Sequence, residues 1–196
     1  MPRLEFWFEF GSTYTYPAVM RIEQLARAAG VAVDWRPFLL GPIFSEQGWS
    51  DSPFNLYPAK GKYMWRDLER ICAALSIPLV HPSKFPRNGL LAARVACWFA
   101  VEPWMAEFAK VVFRANFAED REISEPDVVI ACLNGLGLDG RLLEQAQTAE
   151  SKAELRVQTE HARSLGIFGV PTFLVGDEMF WGNDRLELAL AWAKSG

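Results

Sequence analysis

Near the start of the chain the apolar positions alternate: Leu4, Phe6, Phe8 and Phe10 are separated by Glu5, Trp7 and Glu9. A period of two predicts a β-strand. From about Tyr14 the spacing changes. Val19, Ile22, Leu25 and Ala26 fall on one helical face, and Gly30 stands where a helix-ending glycine is expected. In VAVDWRPF, Val31, Val33 and Trp35 share one face and predict a second strand, which Pro37 keeps from running far as a central strand. Strand, helix, strand implies a parallel pair joined by a right-handed crossover.

The pattern then breaks. LLGPIFSEQGWSDSPFNLYPAKGKY is rich in Gly, Pro, Ser and Asn and has little periodicity, so it reads as a long ordered loop, a kind of segment that often carries function. Helical stripes follow: Leu68, Ile71, Cys72 and Leu75, then helices near 90–101 and 104–116. SEPD predicts a helix capped by Ser124 and running to about Leu133, with two further helical segments at roughly 141–147 and 151–164. Thr172–Val175 and Glu178–Trp181, joined by Gly176-Asp177, predict a hairpin. Asn183 or Asp184 is placed to cap a last helix with the stripe Leu186, Ala189, Leu190, Ala193. The two ends therefore make one sheet layer, and the middle forms a helical layer.

The 196 residues suit one domain, or a small domain with another inserted into it. A net charge of −4 without a basic run argues against nucleic acid as a partner. No apolar run reaches membrane-spanning length, and MPRLEFWF enters a strand without signal-peptide features, so no membrane partner and a cytoplasmic location are expected. Cys72, Cys97 and Cys132 form no CxxC pair and read as buried free thiols. His81 and His161 have no ligand company at zinc spacing, so no metal is expected.

One position stands out chemically. Ser12 lies where the first strand meets the first helix. By position alone it reads as a helix N-cap, for which serine is favoured. A reactive corner is the other reading, because unpaired amides and a partial positive charge gather at a helix start.

Further segments carry a resemblance. GVPT ahead of a hairpin resembles the cis-proline loop of thioredoxin-like folds, and the helical block between β-α-β and α-β-β-α looks like the DsbA arrangement. FEFGSTYTY, RPFLLGPIFSEQGW, PAKGKYMWRDLER, FRANFAEDREISEPDVV and FGVPTFLVGDEMFWGNDRLE, in that order, resemble the 2-hydroxychromene-2-carboxylate isomerases and the kappa-class glutathione transferases. The fold so implied is α/β: a thioredoxin-like (DsbA-like) fold from residues 1–40 and 165–196, with an all-helical domain, residues 41–164, inserted. The site is expected in the cleft between the two.

The resemblance also implies roles. Where redox members carry CxxC, this chain has Ser12, Thr13, Tyr14 and Thr15, so it has no thiol of its own there. Ser12 is then the catalytic residue, donating a hydrogen bond to the sulfur of a glutathione cofactor and favouring the thiolate. A cis Val170–Pro171 bond is expected, leaving the Val170 backbone free to pair with the tripeptide. Asn183 and Asp184 are expected at the γ-glutamyl end, Asp184 against the α-ammonium. Lys60 of PAKGKY is expected to pair with a carboxylate, with either Asn55 or Asp51 at the family's asparagine position. Trp7 and Trp65 are expected in the core, while Phe44, Trp49 and Tyr57 are candidates to line a pocket for a flat substrate.

The activity implied is glutathione-dependent cis-trans isomerisation of a 2-hydroxychromene-2-carboxylate-like aromatic acid, by a homodimer. Two alternatives stand beside it: conjugation or peroxide reduction of the kappa-class kind, and a non-catalytic thioredoxin-fold module that binds peptides at the proline loop.

Overall fold

The computed structural model describes residues 1–195. Its four strands are β1 (Arg3–Phe8), β2 (Ala32–Pro37), β3 (Thr172–Val175) and β4 (Glu178–Trp181), in the order β2-β1-β3-β4. β2 pairs parallel to β1, with Arg3 opposite Ala32 and Phe8 opposite Pro37, and forms a sheet edge, where a proline is tolerated. β3 runs antiparallel to β1, with Phe6 opposite Phe173, and β4 completes the expected hairpin. Gly176 turns that hairpin at φ 58°, a conformation a side chain resists. The crossover helix α1 (Thr15–Ala29) ends at Gly30, left-handed at φ 68°.

The stretch read as a long loop is mostly helical. It contains α2 (Leu40–Glu46), α3 (Pro53–Leu56) and the start of α4 (Pro58–Ala74). Pro53 and Pro58 each occupy a first helical turn, where a missing N–H leaves no bond unmade. Ser52 caps α3 by accepting from the Phe54 N–H at 3.3 Å. These prolines start helices and do not exclude them, so Lys60 sits in the first turn of α4.

Then come α5 (Leu90–Trp98), α6 (Met105–Phe117), α7 (Pro126–Gly135), α8 (Leu142–Gln145) and α9 (Ala149–Ser164). A short 3-10 turn, Asn183–Arg185, leads into α10 (Leu186–Ser195). Two predicted caps differ. α7 starts from Glu125, because the Ser124 hydroxyl donates to the Glu122 carboxylate at 2.8 Å instead of serving the helix. Gly182 stands before the 3-10 turn, and Asn183 is its first residue.

Both faces of β1 are buried. Leu4, Phe6 and Phe8 join one core with α1, α10 and the inserted helices, including Phe108 and Phe113 of α6 and Leu133 of α7. Trp7 points to the opposite face, into a smaller core with Phe38, Ile43, Ala162 and Leu174. The strand therefore reads as nearly continuously apolar, as strands covered on both faces do. Among the described residues, no helix is long and apolar enough to cross a membrane.

Candidate functional site

Beyond Phe8 the chain leaves the sheet and turns, and the Ser12 N–H donates to the Glu9 carbonyl at 3.2 Å. The helix starts only at Thr15, with Tyr14 at its N-cap and no side-chain cap bond, so Ser12 is not the cap. Ser12, Thr13 and Tyr14 instead form one wall of a cavity of about 770 Å³. Lys60 at the start of α4 lies on another wall, and Gly169 and Val170 on a third. Three positions distant in sequence, Ser12, Lys60 and Val170, thus face one space.

The rest of the lining is largely apolar. Phe44 and Trp49 pack against each other with centroids 5.2 Å apart, and Phe168 meets Trp181 edge-on at 4.9 Å. Phe54 also lines the cavity. Gly169 makes the last contact possible, since a Cβ there would fall 2.7 Å from Trp181 Nε1. Trp7 is fully buried in the core, as expected. Trp65 is partly buried and stacks on His81. Tyr57 does not line the cavity; its ring lies exposed, with Lys60 Nζ 4.8 Å from the ring centre.

Several polar groups on the walls lack protein partners. Thr13 Oγ1 is buried without a hydrogen bond. The Val170–Pro171 bond is cis, and among the described residues no backbone or side-chain bond occupies the Val170 N–H or C=O. The Pro171 carbonyl accepts from the Gly182 N–H at 2.9 Å, which ties the proline loop to the start of the last helical segment.

The remaining candidates lie outside the lining. Asn183 is buried, and its Oδ1 and carbonyl both accept from Arg21 Nη2, at 3.1 and 3.0 Å. Asp184 is exposed beside Arg185. Burial holds the Tyr14 phenol above its usual range, and Asp67, Tyr63 and Asp184 add to that. Asn55 stands behind the wall, donating to Asp51 Oδ2 at 3.0 Å and to the Phe85 carbonyl at 3.1 Å. Asp51 is the member of that pair on the cavity surface.

Two residues of the site carry no distinguishing signal in the sequence. Glu9 looks like one more polar position in an alternating strand, yet it lies past the last paired residue and lines the cavity. Burial pushes its carboxyl up to about 7, against a smaller lowering by the nearby Gly11 N–H. Arg87 is buried under the site. It donates to the Asn116 carbonyl and Oδ1, each at 3.2 Å, to Ser83 and to the Asp120 carboxylate. Asn116 in turn donates to the Phe10 carbonyl at 3.1 Å. The three cysteines stay away from the cavity, and burial pushes Cys72 to about 11 and Cys97 to about 12.

The chain is similar to known proteins over nearly its whole length. The chain is 28% identical over 186 residues to a 2-hydroxychromene-2-carboxylate isomerase of Sphingobium xenophagum, covering 94% of each. It is 28% identical over 204 residues to glutathione S-transferase kappa 1 of Homo sapiens, covering 96% of this chain and 89% of the human one. A solved 2-hydroxychromene-2-carboxylate isomerase superposes with a TM-score of 0.85 at 28% identity, over 97% of this chain and 93% of that one. The model of the DSBA-like thioredoxin domain matches residues 3–191, the whole sheet, the helical insertion and the cavity between them, and to that family this chain belongs.

Proposed function

We propose that the protein is a glutathione-dependent isomerase acting on aromatic acids of the 2-hydroxychromene-2-carboxylate class. The observation that carries this reading is the meeting of Ser12, Lys60 and the free Val170 backbone around one aromatic-walled cavity. A tripeptide thiol fits these groups. The Val170 N–H and C=O offer two main-chain bonds, and the buried Thr13 hydroxyl lacks a partner. Glutathione would supply a thiolate that adds to a conjugated carbon, frees the former double bond to rotate and is then expelled.

The chain's own residues do the rest. Ser12 donates its hydroxyl proton to the sulfur, which favours the charged form. The first turn of α1 adds its partial positive charge. Lys60 pairs with a carboxylate of cofactor or substrate, and Asp184 meets the α-ammonium. Phe44, Trp49 and Phe54 hold the flat ring beside the sulfur, an orientation effect. The chain has no thiol at the helix start, so sulfur chemistry there must use a borrowed one.

The test is calorimetry with glutathione followed by titration of the bound thiol. Ser12→Ala is expected to raise that thiol's pKa by about one unit, the value of one lost hydrogen bond. An unchanged titration would remove Ser12 from the mechanism. Lys60→Ala is expected to weaken binding roughly tenfold, equivalent to about 1.4 kcal/mol. Because a kappa-class transferase matches at the same 28% identity, conjugation is the second reading. Turnover of a chromene acid beside a chloroaromatic acceptor separates the two. Absence of binding at millimolar glutathione would favour a peptide-binding module instead.

A further inference from the structure

We infer that Glu9 is the proton acceptor for the thiol bound at this site. The inference rests on the glutathione reading above and assigns a second group to the same chemistry.

The geometry is specific. Glu9 follows the last paired residue of β1 and lies three residues before Ser12, whose N–H bonds to the Glu9 carbonyl at 3.2 Å. Both residues line the cavity. Two glycines make room for the Glu9 carboxyl. A Cβ on Gly11 would stand 3.2 and 3.4 Å from its two oxygens, and a Cβ on Gly89 would stand 3.3 Å from one of them. Neither glycine can take that Cβ, since it would also fall 2.7 Å from the Arg87 carbonyl or 2.6 Å from Phe10 Cβ.

The charged groups around the carboxyl leave it without a counter-ion. The Arg87 guanidinium is bonded to Asn116, Ser83 and Asp120. Lys60 lies on the α4 wall against the Tyr57 ring, Asp51 is itself an acid, and the Tyr14 hydroxyl is given to Asp67 at 3.0 Å. Among the described residues no ion pair uses Glu9. Burial therefore pushes its carboxyl up to about 7, the range in which a general base exchanges protons readily near neutral pH. A salt-bridged carboxylate would be too weak a base.

The step balances within the site. The thiol S–H bond breaks with its electron pair left on sulfur, and the proton bonds to a Glu9 carboxylate oxygen. When the thiolate is expelled from the isomerised acid, Glu9 returns the proton to it. No outside oxidant or reductant is needed.

Proton balance tests this. Glutathione is titrated into wild type and Glu9→Gln by calorimetry, in buffers of different ionisation enthalpy and slightly above neutral pH, with thiolate absorbance read in parallel. Wild type is expected to release clearly less than one proton to buffer per thiolate formed, since Glu9 takes a share of it. Glu9→Gln keeps the size and polarity of the side chain without its titration, and is expected to release about one proton per thiolate formed. Glu9→Asp restores the carboxyl and the low release. Wild-type release of about one proton per thiolate, or equal release by wild type and Glu9→Gln, would overturn the role of Glu9 while leaving glutathione binding intact. Absence of binding heat in wild type would overturn the glutathione reading, and this inference with it.

Discussion

Asn116 shows how much one buried amide holds in place. It links Phe10, at the start of the site turn, to Arg87 beneath it. Asn116→Ala would leave the Phe10 carbonyl and part of a buried guanidinium unpaired, and is expected to cost roughly 1–3 kcal/mol in urea unfolding. Glu9 gives a pH-dependent counterpart. Its folded pKa is raised, so its contribution is favourable at low pH and is lost as pH rises through about 7. Glu9→Gln is therefore expected to gain stability over wild type above that pH, by up to about 3 kcal/mol, and to show no such gain in acid. Thermal melts across the range check it; an equal difference at both ends would show that the carboxyl does not titrate as described. At this scale the sequence was readable where a residue type sits at a junction or in a motif, as with Ser12 and Val170. Glu9 was not, because strand alternation looks the same whether an acid faces solvent or a cavity.

Helices that begin with proline govern the second scale. α3 and α4 meet so closely that a Cβ on Gly61 would lie 2.2 Å from the Phe54 carbonyl. Gly61→Ala is expected to push the two helices apart at a cost of about 1–3 kcal/mol. It should also weaken ligand binding, since Phe54 and Lys60 both line the cavity. Unchanged binding in calorimetry would show that the wall does not depend on this contact. Thr148, whose Oγ1 accepts from the Ser151 N–H at 3.2 Å, caps α9. Thr148→Ala is expected to cost about 1 kcal/mol with no change in ligand affinity. The long periodic helices and the hairpin were legible in advance, with ends displaced by up to three residues. The segment between β2 and α4 was not, because helices as short as α3 show no apolar period and their prolines resemble loop markers.

The inserted helices share one continuous core with the sheet, and the cysteines lie within it. A disulfide reagent is expected to label none of the three cysteines rapidly in the native protein and all three after denaturation. Fast labelling of a native thiol would contradict their burial. The order of the ends, β-α-β and then β-β-α around a helical block, was readable because each carries its own period. The sharing of the core was not, since it depends on contacts between residues a hundred or so positions apart. The same arrangement bears on biosynthesis. β3 lies beside β1 although nearly the whole polypeptide separates them. A nascent chain on the ribosome holds β1 and β2 with one edge open until residues 172–175 emerge. The third wall of the cavity, just ahead of β3, arrives with that pairing, so the cavity is walled on all three sides only once residues 168–175 have been made.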